Sequence, residues 1–335
     1  MAKRSTLLLG AGAAAAIGAV VATRRAVKRW SLLEDATEGR PLSMPAGEDH
    51  VVETADGAKI EVRVAGPEGA PNPVVLVHGW TNDRRVWGRV ATRLVDDGHR
   101  VVLVNQRGHG GSTGGHDGYT LDAIGSDVRA VLEQLDLHDA LVVGHSMGGM
   151  ATMAFLTKHA DARHRVAAVA LVSTAAAGVG VQGGAIGERI ATQVISHPRL
   201  ERVLESASVG PVLVRNTVGR TPAGSHLDAV RELFVATPPD VRAGFLGAMN
   251  KMDLAAALSE LDVRAVVIVG SRDRLTPPRL AKRLVQALPG ARLVVLPDHG
   301  HMLPIEAPGE LTAELEQLLA VLGVGEVGAT AGVPG

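Results

Sequence analysis

Apolar residues recur along the chain in two rhythms. HVVETADG (50–57) and AKIEVRVAG (58–66) alternate apolar with polar positions and meet at Asp56-Gly57, which predicts an antiparallel β-hairpin. Short continuous apolar runs follow: VVLVHG (74–79), RVVLVNQRG (100–108), DALVVGHS (139–146), RVAAVALVST (165–174), RAVVIVGS (264–271) and ARLVVLP (291–297). Val-rich runs of this length that end in loops predict strands buried on both faces. Between them lie segments of helical period, among them LDAIGSDVRAVLEQL (121–135) and PRLAKRLVQAL (278–288). This alternation predicts an α/β fold, a mostly parallel sheet with helices on both faces.

The rhythm breaks once. About ninety residues separate the run ending near Thr174 from the one starting near Arg264. They include the helical patches GERIATQVI, LDAVRELFVAT and RAGFLGAMNKM. A structureless connection of that length is uncommon in a compact domain, so residues 175–263 are expected to form a helical cap over the C-terminal edge of the sheet. The core is then 50–174 with 264–322, and VGEVGATAGVPG, 323–335 with its preceding Gly, is expected to be a disordered tail.

Residues 1–30 read differently. Ser5 to Thr23 carry no charge and, at 1.5 Å per residue, approach the roughly 30 Å of a hydrocarbon core. Their apolarity comes mainly from Ala and Gly. Basic residues flank the run on both sides: Lys3 and Arg4 before it, Arg24, Arg25, Lys28 and Arg29 after it. The excess on the C-terminal side favours an uncleaved anchor with the rest of the chain in the cytoplasm. A secretory signal cleaved near Val20-Val21-Ala22 is the alternative. Residues 31–49, with Pro41, Pro45 and Gly47, read as a linker.

Composition narrows the chemistry. A formal net charge of −1 gives no general attraction to nucleic acid, and 2% aromatics is too few for a base-stacking surface. With no cysteine, disulfides, thiolate nucleophiles and cysteine metal sites are excluded.

Gly144-His145-Ser146-Met147-Gly148 directly follows an apolar run and precedes the helical stretch MATMAFLTKHA. A G-x-S-x-G at a strand–turn–helix junction presents a serine hydroxyl at the tip of a sheet; its glycines let the backbone turn sharply. A serine needs a base, and the base an orienting acid. Asp273 lies just after AVVIVG and His301 just after RLVVLP, so both belong to loops at the same sheet edge as Ser146. His299 is a second candidate base, and Asp298 reads as a turn former. A metal site of His299, His301 and Asp273 finds no support elsewhere in the chain. An oxyanion needs two donors: the Met147 N–H, and the Trp80 N–H in the loop after the first buried strand, where Gly79 permits close approach. His78 reads as a structural hydrogen-bonding residue.

VVLVHGW, NQRGHGGS, GHSMGG, GSRDRLTP and GHMLPIEAP, in this order and spacing, resemble the α/β-hydrolase superfamily, and within it serine esterases and lipases with a helical cap. The resemblance covers roughly 50–322. It implies Ser146 as nucleophile, Asp273 as acid, His301 as base, and Trp80 and Met147 at the oxyanion hole. It also implies ester hydrolysis through an acyl-enzyme, with no metal or organic cofactor. One departure is visible: relatives often carry Asp where this chain has Asn105. The expected partner is a small-molecule ester, apolar or lipid-derived, with membrane lipid against the N-terminal segment and no nucleic acid. Perhydrolysis of the haloperoxidase kind, C–C hydrolysis and acyl transfer use the same fold. A tethered non-catalytic binding protein is the reading from another class.

Overall fold

A computed structural model of the chain describes residues 41–178, 184–206 and 209–329, together with Lys28. The anchor expected over 5–23 lies outside these residues. Among the described residues no helix is long and apolar enough to cross a membrane.

The strands are β1 (Glu48–Glu53), β2 (Lys59–Ala65), β3 (Val74–Val77), β4 (Val101–Val104), β5 (Ala140–His145), β6 (Val166–Val172), β7 (Arg264–Gly270) and β8 (Arg292–Leu296). They form one sheet in the order β1-β2-β4-β3-β5-β6-β7-β8. The hairpin β1–β2 is antiparallel and joins antiparallel to β4; every later pairing is parallel. The hairpin and all the apolar runs thus appear where the hydrophobic pattern places them.

Burial on both faces follows from the period of two. Val75, Val77, Val102, Val104 and Val142 face one core, where Ile124, Val131 and Met150 meet them. Their neighbours Val74, Leu76, Val101, Leu103 and Leu141 face the other, against Val90, Leu94, Leu311 and Leu315. The flanking helices are α1 (Gly88–Asp96), α2 (Leu121–Gln134), α3 (Met147–Lys158), α10 (Pro278–Ala287) and α12 (Pro308–Ala329), with the short α11 (Leu303–Glu306) just before the last. Thr120 caps α2 by accepting a hydrogen bond from the Ala123 N–H at 3.1 Å. Helix α12 runs on to Ala329, where the sequence reading ends the core at 322. Its glycines each cost about 1 kcal/mol in a helix, but no proline halts it before Pro334.

Between β6 and β7 the described chain is helical: α4 (Gly184–Ile195), α5 (Pro198–Glu205), α6 (Gly210–Val214), α7 (Gly224–Ala236), α8 (Pro239–Asn250) and α9 (Ala255–Leu258). The ends of this insertion lie side by side, with the Leu254 N–H donating to Ala176 O at 2.9 Å. A lengthy excursion that leaves and returns at one point disturbs the sheet little.

The loop after β4 contains a fully buried guanidinium. Arg107 donates to Asp127 through Nε and Nη2, both at 2.7 Å, and to Asp56 through Nη1 at 2.8 Å. It ties α2 to the hairpin turn. Nearby, Asn105 Oδ1 accepts from the Arg84 N–H at 2.8 Å while Nδ2 donates to Glu61 at 2.6 Å. An aspartate at 105 would set its carboxylate against Glu61; the amide can serve both partners.

Removing one member of a buried ion pair leaves a charge unsolvated. Arg107→Met should therefore lower unfolding free energy by about 3–5 kcal/mol in urea titrations. Arg129→Ala, which breaks the exposed helical pair with Glu133, should cost less than about 1 kcal/mol. Equal effects would show that Arg107 is not the internal tie described.

Candidate active site

Ser146 stands between the end of β5 and the first turn of α3 with φ 52° and ψ −115°. A non-glycine residue in this region costs on the order of 1–3 kcal/mol, so its surroundings must hold it there. The Ser146 N–H donates to Val172 O at 2.9 Å, and Thr174 Oγ1 donates to Ser146 O at 2.7 Å. A side chain at Gly144 would strike the Gly148 and Gly149 backbone, and one at Gly148 would strike the carbonyls of Val77 and His78. A serine before a helix usually spends its oxygen on a cap; Ser146 makes no capping hydrogen bond.

Asp273 and His301 come together in the loops after β7 and β8. His301 Nδ1 donates to Asp273 Oδ2 at 2.9 Å, and both side chains are buried. A carboxylate only accepts, so in the neutral imidazole the proton sits on Nδ1 and Nε2 is left as the acceptor. Asp273 Oδ1 accepts from the Leu275 and Thr276 N–H groups, each at 2.9 Å. Burial pushes the Asp273 carboxyl up, but the His301 charge and these hydrogen bonds outweigh it and hold the group below its ordinary value. His299 instead turns toward Glu310, at 3.5 Å.

Ser146, His301 and Trp80 line one cavity of about 510 Å³. Among the described residues no hydrogen bond links Ser146 Oγ to His301 in this conformation. The Trp80 side chain donates through Nε1 to Arg242 O at 3.1 Å. Among the described residues the backbone N–H groups of Trp80 and Met147 have no protein acceptor. A Cβ at Gly79 would lie 3.1 Å from Ser146 Cβ and 3.0 Å from His145 Nδ1, so glycine is what lets this loop approach the serine.

Thr276 and Glu306 were not foreseen. Thr276 Oγ1 donates to Asp273 Oδ2 at 2.8 Å and lies 3.2 Å from His301 Nδ1. Its signal is local: a threonine three residues after an aspartate closes a loop onto that carboxylate. Glu306 accepts from the Gly219 N–H at 2.6 Å and from the Gly300 and Met302 N–H groups on either side of His301. No sequence pattern reveals this, because Gly219 arrives from the insertion. The backbone N–H of His301 likewise donates to Thr217 O at 2.8 Å.

Three histidines lie fully buried behind the site. His78 Nε2 accepts from the Gln106 N–H at 3.0 Å, His109 Nδ1 lies 3.0 Å from Arg107 O, and His145 Nε2 donates to His301 O at 2.9 Å. Burial lowers them to about 4, about 3 and about 3, respectively.

The sequence pattern of the alpha/beta hydrolase family matches residues 74–315. The chain belongs to that family, and it is a hydrolase. It is 26% identical over 263 residues to the non-heme chloroperoxidase CPO-A1 of Kitasatospora aureofaciens, covering 77% of this chain and 93% of that protein. It is also 26% identical over 268 residues to the bifunctional esterase/perhydrolase DCH of Acinetobacter calcoaceticus, covering 76% and 93%. Among solved structures, the esterase RhEst1 from Rhodococcus sp. ECU1013 superposes with a TM-score of 0.70 at 26% identity, covering 82% of this chain and 99% of that one.

The buried histidines give stability a definite pH dependence. The unfolded chain protonates each near pH 6.5 and the folded chain only near pH 3–4, so unfolding takes up protons between these values. Stability should therefore fall as pH is lowered through this window, by about 1.4 kcal/mol per pH unit for each. His109→Gln should flatten the slope of unfolding free energy between about pH 5.5 and 4.5 by that amount. An unchanged slope would mean that His109 is not held neutral.

Proposed function

We propose that this enzyme cleaves carboxylic esters through an acyl-enzyme on Ser146, with His301 as base and Asp273 as the acid that orients it. The observation that carries the reading is the His301–Asp273 pair at 2.9 Å, whose imidazole lines one cavity with a strained, uncapped serine.

In the first step His301 Nε2 takes the Ser146 proton as Oγ attacks the ester carbonyl. The oxyanion falls to the N–H groups of Trp80 and Met147, the latter at the positive end of α3. Collapse of this intermediate breaks the C–O bond, and His301 returns its proton to the departing alcohol. A water, deprotonated by the same imidazole, then releases the acid. Throughout, Asp273 stabilises the imidazolium without becoming protonated.

Leu200, Leu204, Leu213, Val230, Phe234 and Leu246 supply much of the cavity lining, which suits an apolar acyl chain. The uncharged run from Ser5 to Thr23 supports attachment to a membrane with the catalytic domain on the cytoplasmic side, where lipid-derived esters are concentrated. A second reading is favoured by the esterase/perhydrolase and chloroperoxidase relatives. Hydrogen peroxide in place of water at the second step would release a peracid from the same acyl-enzyme.

Treatment of the full-length chain with a fluorophosphonate should give a single adduct on Ser146 by mass spectrometry of the intact protein and its peptides. Ser146→Ala should abolish the adduct and lower ester turnover by about 10⁴-fold or more. A folded protein that takes no label would overturn the assignment. Peracid formation measured with added peroxide separates the two readings.

A further inference from the structure

The loop after β3 folds back on itself. The Asn82 N–H donates to Gly79 O at 3.3 Å and closes a β-turn over residues 79–82. Thr81, in the third place of that turn, takes φ 57°. Glycine or asparagine fills such a place readily, whereas a β-branched residue is strained there. Strain of this kind persists only where the surroundings impose it, and it gathers at functional sites. Here the turn carries Asn82 back beside Gly79. Thr81 and Asn82 both line the cavity that holds Ser146 and His301.

The Asn82 side chain departs from a second rule. The residue is 5% exposed, yet among the described residues its carboxamide has no hydrogen-bond partner. Buried amides are ordinarily paired, because burial removes their bonds to water. Asn72 and Asn105, buried to a similar degree, follow the rule. Asn72 Nδ2 donates to Asp139 O at 3.0 Å, and Asn105 serves both Glu61 and the Arg84 N–H. The unpaired amide also stands at a particular place. A Cβ at Gly79 would lie 3.1 Å from Asn82 Nδ2 and 3.1 Å from Ser146 Cβ, so the amide and the serine flank one point. His145 Nδ1 lies 3.0 Å from that point, but no hydrogen bond joins it to Asn82. Trp80, whose N–H serves the oxyanion, is the next residue after Gly79.

We infer that Asn82 is a further catalytic residue, its Nδ2 donating to the oxyanion alongside the N–H groups of Trp80 and Met147. The carbonyl oxygen carries little charge in the bound ester and a full charge in the tetrahedral intermediate. A donor without a partner in the free enzyme therefore gains its hydrogen bond chiefly as the barrier is climbed, which is what raises kcat. The inference rests on the ester-hydrolase reading and adds a residue to its machinery.

Stability separates this role from a structural one. An amide that holds the fold together is missed when it is removed, whereas one that pairs with nothing is replaced by leucine without loss. Full-length Asn82→Leu and Asn82→Ala would be compared with the unaltered chain in three measurements. With ethyl hexanoate, kcat should fall by about 10²-fold in both variants while KM changes by less than about threefold. Hexylboronic acid, which adds to a serine as a tetrahedral anion, should bind both variants at least about tenfold more weakly. In thermal unfolding Asn82→Leu should match or exceed the unaltered chain. Unchanged kcat in both variants overturns the inference, and so does a loss of kcat in Asn82→Leu matched by a loss of stability. Boronate affinity is read apart from turnover. Undiminished affinity in both variants of a chain that cleaves the ester discards the Asn82 donor and leaves ester hydrolysis standing. Weakened affinity in variants of a chain that cleaves no ester keeps the donor and discards ester hydrolysis. A chain that neither cleaves the ester nor binds the boronate overturns both.

Discussion

The site depends on one strained residue. Ser146 keeps a backbone conformation that its side chain disfavours, at a cost on the order of 1–3 kcal/mol. It can do so because the turn is held from every side. The N–H is tied to β6, the carbonyl to Thr174, and the glycines at 144 and 148 admit backbone where any side chain would collide. The strain sets the hydroxyl at the sheet edge, uncapped, with α3 beginning immediately after it. The buried parallel strands behind it supply the rigidity. An elbow on a looser support would relax, and its hydroxyl would cap the helix.

Asp273 and His301 are arranged by different means. Asp273 is ionised inside the protein because four hydrogen bonds converge on it, from His301, Thr276 Oγ1 and two backbone N–H groups. That ionised carboxylate fixes the proton on His301 Nδ1 and turns Nε2 into the acceptor. The backbone of His301 is held from the opposite direction, by Glu306 and by Thr217. Thr217 and Gly219 belong to the insertion. Thr217, which lines the cavity, is thus also a residue that holds the His301 backbone, so a wall of the cavity and the imidazole are tied together through the insertion. His78, His109 and His145 pack behind this arrangement as neutral polar groups, adding hydrogen bonds without adding charge beside His301.

Much of this was legible along the chain. The hairpin, the buried strands and their helices follow from periods of two and 3.6 that depend on neighbours in sequence. The elbow, the chain order Ser146, Asp273, His301, and the glycine at 79 are local signals of the same kind. Asn105 was visible as a departure, but its reason was not: it stands between Glu61 and the Arg84 N–H, residues far from it in sequence. Arg107, in the same block, has its partners Asp56 and Asp127 equally far along the chain.

Local sequence is thus enough to say which segments become strands and helices, and which residues stand at strand ends where chemistry is possible. These are properties of short stretches, set by backbone geometry and by the burial of alternate side chains. The folded arrangement was needed to show that Asp273 rather than another acid reaches His301, that His299 turns to Glu310, and that Glu306 clasps the His301 loop to the insertion. Such pairings join residues tens to hundreds of positions apart. Their energies depend on distance and burial, quantities that do not exist until the chain has folded.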